Sequence, residues 1–207
     1  MRITKIEPQR FGNRVNIYID DKFAIGIDDE IRYKYKLNLD MEVDDDFIKE
    51  VLIAEEKNKA INYALKLLSY RPRAEKELSD ALKRKGYDEI IIDETINYCK
   101  ERDYINDREF AESFVRDKIN FSKLGPERIR YELKLKGISD DIINKVLKMN
   151  KDHQFETAFE LGKKRLNLYK NDSYDAKYRK LSGFLQRKGF SYDIISKVVK
   201  ELLKQWI

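Results

Sequence analysis

The sequence predicts a mainly α-helical protein: tandem three-helix repeats in an elongated curved array, preceded by a small N-terminal β segment. A helical pattern ends in Lys-Gly three times, and the glycines Gly86, Gly137 and Gly189 lie 51 and then 52 residues apart. Apolar residues stand eight and four positions before each Gly, and an Ile-Ile pair begins five positions after it. The first 28 residues instead alternate with a period of two. Internal repetition of a helical unit is typical of stacked arrays that bind long partners.

The N-terminal 28 residues predict a β-hairpin and a third short strand. Apolar residues alternate with polar or small ones on both sides of Asp20-Asp21-Lys22, which indicates two strands joined by a tight turn. The alternating apolar residues are Val15, Ile17, Ile19, Phe23, Ile25 and Ile27. A further short strand is predicted over residues 3–6, ended by Pro8.

The period becomes helical after this hairpin. Asp28 is predicted to cap a short helix that runs through Tyr35, and Asp44 to cap a longer one. An apolar stripe begins at Phe47 and continues to Leu68. Either one long helix or two abutting helices therefore link the β segment to the repeats, and the sequence leaves both open.

The repeat pattern divides the chain into four parts. They are an N-terminal segment with linking helices (1–57) and three repeats (58–103, 104–150 and 151–207). The predicted helices cover 58–69, 72–85 and 89–101 in the first repeat, 107–120, 126–136 and 140–149 in the second, and 152–168, 174–188 and 192–206 in the third. Pro72 and Pro126 are expected to begin second helices, where proline is tolerated.

The Lys-Gly pairs are interpreted as structural joints between the second and third helices of each repeat. A helix that ends with a left-handed residue favours Gly at that position, and a preceding Lys interacts favourably with the helix dipole. The residue two positions after each Gly is a helix-capping type: Asp88, Ser139 and Ser191. Gly86, Gly137 and Gly189 are therefore predicted to fix the repeat geometry.

Composition indicates a globular protein whose repeats are basic. Of the 207 residues 39% are charged and 12% aromatic, and no apolar run approaches the roughly 18 residues that span a bilayer. Residues 1–59 have a net charge of −3 and residues 60–207 a net charge of +8. This distribution favours contact of the repeats with a polyanion. Cys99 is the single cysteine, so no disulfide is expected and the default location is the cytoplasm.

No catalytic, metal-binding or cofactor-binding motif emerges from the sequence. His153 is the one histidine and lies in a polar stretch, where a solvated helix-end side chain is expected. The acidic runs at 28–30 and 44–46 lack the spacing of a calcium loop and fit helix capping. Neither glycine-rich phosphate-binding motif occurs. We therefore predict no catalytic residue, metal or cofactor.

Basic residues on or beside the second helices are the remaining functional signal. If the repeats stack at a fixed rotation, these residues line up as a track for phosphates or for an acidic protein groove. The candidates are Arg71, Arg73, Arg84, Lys85, Lys123, Arg128, Arg130, Lys134, Lys136, Arg179, Arg187 and Lys188, with Lys83, Lys177 and Lys180 on the same helices. Solubilising charges interleaved with glutamates are the alternative interpretation. The 13 tyrosines either stack on bases or pack in cores, and the sequence does not separate these roles.

Three segments resemble the RecX regulatory proteins, modulators of the RecA recombinase. They are residues 64–86, with Arg71-x-Arg73-Ala74 and Lys85-Gly86, then Tyr104-Ile105-Asn106-Asp107 with Phe110-Ala111, and then 123–138, from Lys123-Leu124-Gly125-Pro126 to Lys136-Gly137-Ile138. Together they span residues 60–150, and the third unit lies where that family has its last repeat. The hairpin is similar to an extension in members from low-GC Gram-positive bacteria. Ala74 stands where Ser is common, and the chain is shorter than many extended members.

The resemblance implies a monomeric, non-enzymatic partner of the RecA–single-stranded DNA filament. Such proteins bind the filament groove and lower ATPase activity, strand exchange and filament growth, in recombination, DNA repair and the SOS response. Single-stranded DNA is contacted directly or through RecA, and no membrane is involved. Tyr104 and Phe110 are expected in the core. Two alternatives stay open: a direct DNA-binding helix-turn-helix or architectural protein, and a scaffold that binds only protein.

Overall fold

The structure is a computed structural model that describes residues 1–149 and 153–204. In this part of the chain, three strands precede ten α-helices. The strands are β1 (Ile3–Pro8), β2 (Arg14–Ile19) and β3 (Lys22–Asp28). The helices are α1 (Asp29–Lys34), α2 (Asp45–Tyr70), α3 (Glu75–Lys85), α4 (Glu89–Glu101), α5 (Asp107–Asn120), α6 (Pro126–Leu135), α7 (Asp140–Met149), α8 (Gln154–Leu166), α9 (Tyr174–Lys188) and α10 (Tyr192–Leu203). The predicted three-helix repeats and N-terminal β segment are confirmed.

The three strands form an antiparallel sheet in the order β1-β2-β3. Asp20 and Asp21 both adopt positive φ, 46° and 62°, in the turn between β2 and β3. Aspartate tolerates this conformation better than most residues, which explains a tight turn without glycine. One face of the sheet is apolar and buried: Ile3, Val15, Ile17, Ile19, Ile25 and Ile27. The predicted hairpin and third strand are both present.

The helix after the sheet is continuous. α2 runs for 26 residues from Asp45 to Tyr70, so the segment is one long helix rather than two. Neither Pro nor Gly interrupts it. Asp44 caps its start by accepting a hydrogen bond from the Phe47 backbone N–H at 2.8 Å, and Asp28 caps α1 in the same way. Both predicted caps are confirmed.

The three Lys-Gly joints have the predicted backbone geometry, although Ser191, unlike Asp88, forms no side-chain capping hydrogen bond. Gly86, Gly137 and Gly189 have φ of 98°, 84° and 89°, the left-handed conformation that favours glycine. The apolar residues eight and four positions earlier are fully buried in every repeat: Leu78, Leu82, Ile129, Leu133, Leu181 and Leu185. The repeated spacing in the sequence therefore corresponds to repeated packing.

Some predicted helix ends differ from the structure. Pro126 is the first residue of α6, as expected, but Pro72 lies outside α3, which begins at Glu75. The Ala74 N–H donates to the Glu77 carboxylate at 3.3 Å, a side-chain cap that starts the helix after the proline. α8 ends at Leu166 and is followed by a 3-10 turn at Asn167–Tyr169. The predicted limits at 152 and 206 lie outside the described residues.

The described residues fall into two compact units. The first comprises Met1–Arg71 and Leu78–Tyr104, and the second comprises Pro72–Glu77 and Ile105–Ile207. In the first unit the isoleucine face of the sheet packs with Val51 of α2. The second contains two cores, one around Ile129 and Leu133 and one around Leu181 and Leu185. The second and third repeats thus belong to one unit.

Candidate functional site

The predicted basic residues differ in exposure. Those that are exposed are Arg71, Arg84, Lys85, Lys123, Arg128, Lys134, Arg179 and Arg187, whereas Arg73, Arg130, Lys136 and Lys188 are half-buried. Lys177, which was expected on the basic face of α9, is only 6% exposed. That expectation was wrong, because this position of α9 faces the neighbouring helices and not solvent.

Several of these cations already have acidic partners within the chain. Arg128 Nε lies 3.0 Å from Glu132 Oε1, and Lys134 Nζ lies 2.9 Å from Asp140 Oδ1. Lys136 Nζ lies 2.8 Å from an oxygen of Glu77. Their charges are therefore partly neutralised before any partner arrives.

Other candidates keep an uncompensated charge. In residues 1–149 and 153–204, Arg84, Lys123, Arg179 and Arg187 form no ion pair. All four are exposed. An exposed guanidinium or ammonium group without a carboxylate neighbour is available to an anionic partner.

A close backbone contact in the second unit brings some of these cations together. The Gly125 N–H donates to the Lys188 carbonyl at 2.8 Å, and the Glu127 N–H donates to the Gly189 carbonyl at 3.0 Å. Gly125 has no side chain to cap α6, so these carbonyls take that role. A Cβ on Gly189 would overlap the Arg128 backbone. The start of α6 is thereby held against the end of α9.

An open groove of about 760 Å³ lies beside this contact. Its cations come from both helices, Arg128 from α6 and Arg187 and Lys188 from the end of α9. The remaining lining residues are Leu124, Glu127, Tyr131, Glu132, Phe184, Gln186 and Gly189. Lys188 Nζ also donates to the Ser122 carbonyl at 3.2 Å, which ties the α5–α6 loop to this groove. We call this surface the α6–α9 groove.

Glu132 organises the positive side of the α6–α9 groove. Burial raises the pKa of its carboxyl, but hydrogen bonds and charge from Lys118 and Arg128 outweigh burial and leave the pKa below its ordinary value. Lys118 Nζ lies 2.9 Å from Oε2, and Arg128 holds Oε1. Glu132 is therefore ionised at neutral pH and fixes the Arg128 guanidinium.

Arg130 lies in a different groove from Arg128. The second groove, of about 730 Å³, is lined by Arg130, Glu127, Asn144, Lys148 and His153, among others. Arg130 donates to the Asn144 side chain at 2.7 Å. The two arginines are two positions apart on α6, which directs them to different sides of the helix. The structure thus groups Arg128 with Arg187 and Lys188, but not with Arg130.

Two exposed aromatic side chains were not among the predicted site residues. Tyr131 is 54% exposed in the α6–α9 groove, and Phe121 is 82% exposed in the loop before α6. Tyr131 stands off the apolar stripe of Ile129 and Leu133, and this spacing was the signal available in the sequence. Tyr104, expected in the core, is 48% exposed, whereas Phe110 is partly buried and stacks on Phe114.

Similarity to known families covers the chain in four consecutive segments. The Regulatory protein RecX N-terminal domain matches residues 1–44. The first, second and third three-helix domains of RecX match residues 60–99, 106–147 and 152–199. A protein named Regulatory protein RecX from Clostridioides difficile is 40% identical over 203 residues, which cover 97% of this chain and 95% of that protein. The chain belongs to the RecX regulatory protein family.

Other RecX proteins and solved structures are similar over most of the chain. The Regulatory protein RecX of Clostridium perfringens strain 13 is 36% identical over 97% of this chain and 96% of its own length. The one from Bacillus licheniformis is 37% identical over 96% of this chain but only 76% of its own length. A crystal structure of regulatory protein RecX has a TM-score of 0.81 at 30% identity, covering 95% of this chain and 98% of that one. A second, RecX from Lactobacillus salivarius, has a TM-score of 0.67 at 41% identity, covering 72% and 97%.

Throughout the described residues, every helix is too short or too polar to cross a membrane.

Proposed function

We propose that this protein is a non-enzymatic regulator of RecA. It binds the RecA–single-stranded DNA filament in its groove and mostly inhibits ATP hydrolysis, strand exchange and filament growth during recombination and DNA repair. The observation that carries this proposal is the ordered match of four RecX domains over residues 1–199. In this proposal the protein acts in the cytoplasm as a monomer, with its three repeats at 58–103, 104–150 and 151–207.

The α6–α9 groove supports this proposal chemically. It presents Arg128, Arg187 and Lys188 beside exposed Tyr131, a combination that suits either nucleic-acid phosphates and bases or an acidic protein surface. Lys123, exposed in the preceding loop, adds a further cation. The other partner contacts proposed from the sequence lie outside this groove and are Arg71, Arg73, Arg84, Lys85, Arg130, Lys134, Lys136 and Arg179.

A titration tests the proposal directly. The protein is added to RecA assembled on single-stranded DNA with ATP, and both ATP hydrolysis and filament length are measured. We expect hydrolysis to fall and filaments to shorten at or below one protein per RecA subunit. Unchanged hydrolysis and unchanged filament length at stoichiometric excess would contradict a regulatory role. Arg187→Glu should weaken the effect, and Lys200→Glu, an exposed lysine at the end of α10, serves as the charge-matched control.

Gel-shift assays without RecA separate this function from direct DNA binding. A helix-turn-helix or architectural protein would bind duplex DNA with a steep salt dependence and a sequence preference. A scaffold that binds only protein would bind neither single-stranded nor duplex DNA, even at low salt. The proposed regulator should bind RecA filaments more tightly than it binds single-stranded or duplex DNA without RecA.

A further inference from the structure

The Lys-Gly joint of the second repeat docks onto the first turn of an earlier helix. A Cβ on Gly137 would lie 2.7 Å from Lys76 Cβ, so the joint backbone is in close contact with the start of α3. Lys136, the residue before this glycine, forms its ion pair with Glu77, which belongs to the first turn of α3. The joint thus combines a close backbone approach with a lysine–glutamate pair.

The joint of the third repeat also meets the first turn of an earlier helix, here through backbone hydrogen bonds. The carbonyls of Lys188 and Gly189 accept hydrogen bonds from the first N–H groups of α6. The first turn of α6 carries an acidic residue, Glu127. In both joints the negative end of one helix meets the positive end of another, with acidic side chains on the receiving turn. The two contacts share this end-to-end arrangement, with the lysine–glutamate pair at the second joint and the backbone hydrogen bonds at the third.

The first repeat has a joint of the same construction that remains open. Gly86 has the same left-handed conformation and is exposed, and among the described residues of its own unit a Cβ there would meet no heavy atom within 4 Å. Three exposed cations, Lys83, Arg84 and Lys85, form the last turn of α3. Lys83 is paired with Glu89 at 2.9 Å, which leaves Arg84 and Lys85 with uncompensated charges.

We propose that Lys85-Gly86 docks the first turn of an α-helix in a partner protein, and that this turn carries Glu or Asp. The partner's first N–H groups would donate to the Lys85 and Gly86 carbonyls, as α6 donates to Lys188 and Gly189. Its carboxylates would pair with Arg84 and Lys85, as Glu77 pairs with Lys136. A phosphate backbone satisfies only the cations, because it has no N–H groups to offer the carbonyls. A protein helix is therefore the occupant that uses both features.

This inference rests on the proposed function only in taking RecA as the protein that supplies the helix. The chain contains a matched pair of glycines for the first test. Gly12 and Gly86 both have positive φ, 80° and 98°, and a Cβ at either would meet nothing within 4 Å. Asn tolerates this backbone conformation, so Gly86→Asn and Gly12→Asn should both fold normally, as thermal unfolding will check. Only Gly86→Asn places a side chain where a docked backbone would lie.

Binding of each variant to RecA–poly(dT) filaments held with a slowly hydrolysed ATP analogue is the first measurement. We expect Gly86→Asn to raise the Kd by about tenfold or more, because two backbone hydrogen bonds are lost, and Gly12→Asn to leave it within about twofold. Arg84→Glu should also raise the Kd. If wild-type protein binds filaments and Gly86→Asn binds equally well, the docking site is wrong while the proposed function stands.

A second measurement does not depend on RecA. An alanine-based helical peptide with Glu in its first turn is titrated into ¹⁵N-labelled protein, beside a peptide with Lys at the same positions. The amides of Gly86 and Tyr87 should shift with the Glu peptide and not with the Lys peptide, and Gly86→Asn should abolish the shift. If neither peptide shifts these amides, the docking site is refuted, whatever the result of the filament-binding experiment. If the Gly86 and Tyr87 amides instead shift as the protein's own concentration rises, and the protein sediments as a dimer, the occupant is a second copy of this chain. That result would overturn the proposal that a different protein supplies the helix.

Discussion

Lys136 and Glu77 form an ion pair although 59 residues separate them in the sequence. Lys136 directly follows the last residue of α6, the second helix of the second repeat, and Glu77 lies in the first turn of α3. Both side chains are mostly buried, 25% and 20% exposed. The Lys136 ammonium also lies over the rings of Phe110 and Phe114, at 5.6 and 5.5 Å. One lysine therefore connects the joint of its own repeat to the helix of the preceding one.

Replacing Lys136 should weaken the second unit. Lys136→Ala removes the ion pair, the cation–π contacts and the packing of the aliphatic stem, and we expect the free energy of unfolding to fall by about 1–3 kcal/mol. Lys136→Met retains the stem and should lose less. Urea unfolding of both variants and of Glu77→Gln checks this. A double-mutant cycle that gives no coupling between Lys136 and Glu77 would contradict the stabilising role.

Two of the joint glycines, Gly86 and Gly189, should respond differently to alanine. Gly86→Ala introduces only left-handed backbone strain, about 1–2 kcal/mol. Gly189→Ala adds an overlap with the Arg128 backbone. Overpacking of this kind should lower the free energy of unfolding by about 1–3 kcal/mol more. The free energy of unfolding should therefore fall more for Gly189→Ala than for Gly86→Ala. Equal losses in urea titrations would show that the Gly189 backbone contact is not close in solution.

The local part of this architecture is readable from the sequence because its rules act within a few residues. A left-handed Gly at a helix end, a cap two positions later and a buried residue every turn each leave a fixed spacing, and Gly137 with Ile129 and Leu133 shows all of this. The same reasoning fails for partners distant in sequence. Nothing around Lys136 indicates that Glu77 is its partner, and nothing around Lys177 indicates that its side chain is buried.

The candidate site could be predicted only in part, because it too depends on contacts between residues distant in sequence. A list of cations on second helices includes Arg187, which is exposed and has no acidic partner in the described residues, and Arg128, which Glu132 holds. It also includes Arg130, which lies in another groove. Sorting these roles requires knowing which helices touch. Tyr131 was missed because composition alone does not separate tyrosines that pack in a core from tyrosines that are exposed, and only its position off the apolar stripe distinguishes it.

Glu132 should make stability depend on pH in the acid range. Its pKa in the folded protein is below the ordinary value of 4.5, so the ionised form is stabilised by folding. That stability is fully present above the unfolded pKa near 4.5 and is lost as the pH falls through the lower folded pKa. Glu132→Gln lacks the titrating group and should show a flatter decline in Tm below about pH 4.5. If Tm declines with falling pH as steeply in Glu132→Gln as in wild type, Glu132 makes no such contribution.

Glu55 should be the most sensitive polar residue of the first unit. It is 2% exposed, its Oε1 lies 2.7 Å from Arg14 Nη2, and its Oε2 accepts the Asp28 N–H at 2.8 Å. Glu55→Ala removes the ion-pair partner of Arg14 and the acceptor of the Asp28 N–H, and it should lower the free energy of unfolding by about 2–4 kcal/mol. Glu55→Gln, which keeps an acceptor oxygen, should lose less. Hydrogen exchange at the Ile17 and Ile25 amides measures the effect, and unchanged protection in Glu55→Ala would contradict it.

The pairing of Arg128 with Glu132 predicts that two neighbouring arginines contribute unequally to partner binding. Arg187 has an uncompensated charge, so Arg187→Ala should weaken inhibition of RecA ATP hydrolysis by about 3–10-fold, whereas Arg128→Ala should weaken it less. Glu132→Gln frees the Arg128 and Lys118 charges and should strengthen inhibition, with a steeper dependence on salt. The measurement is the protein concentration for half-maximal inhibition at two or more salt concentrations. Glu132→Gln and Arg128→Ala remove opposite charges from one ion pair. If the variants acted only by destabilising the protein, both would raise the concentration needed for half-maximal inhibition. An electrostatic contact in the α6–α9 groove instead predicts that Arg128→Ala raises this concentration and Glu132→Gln lowers it.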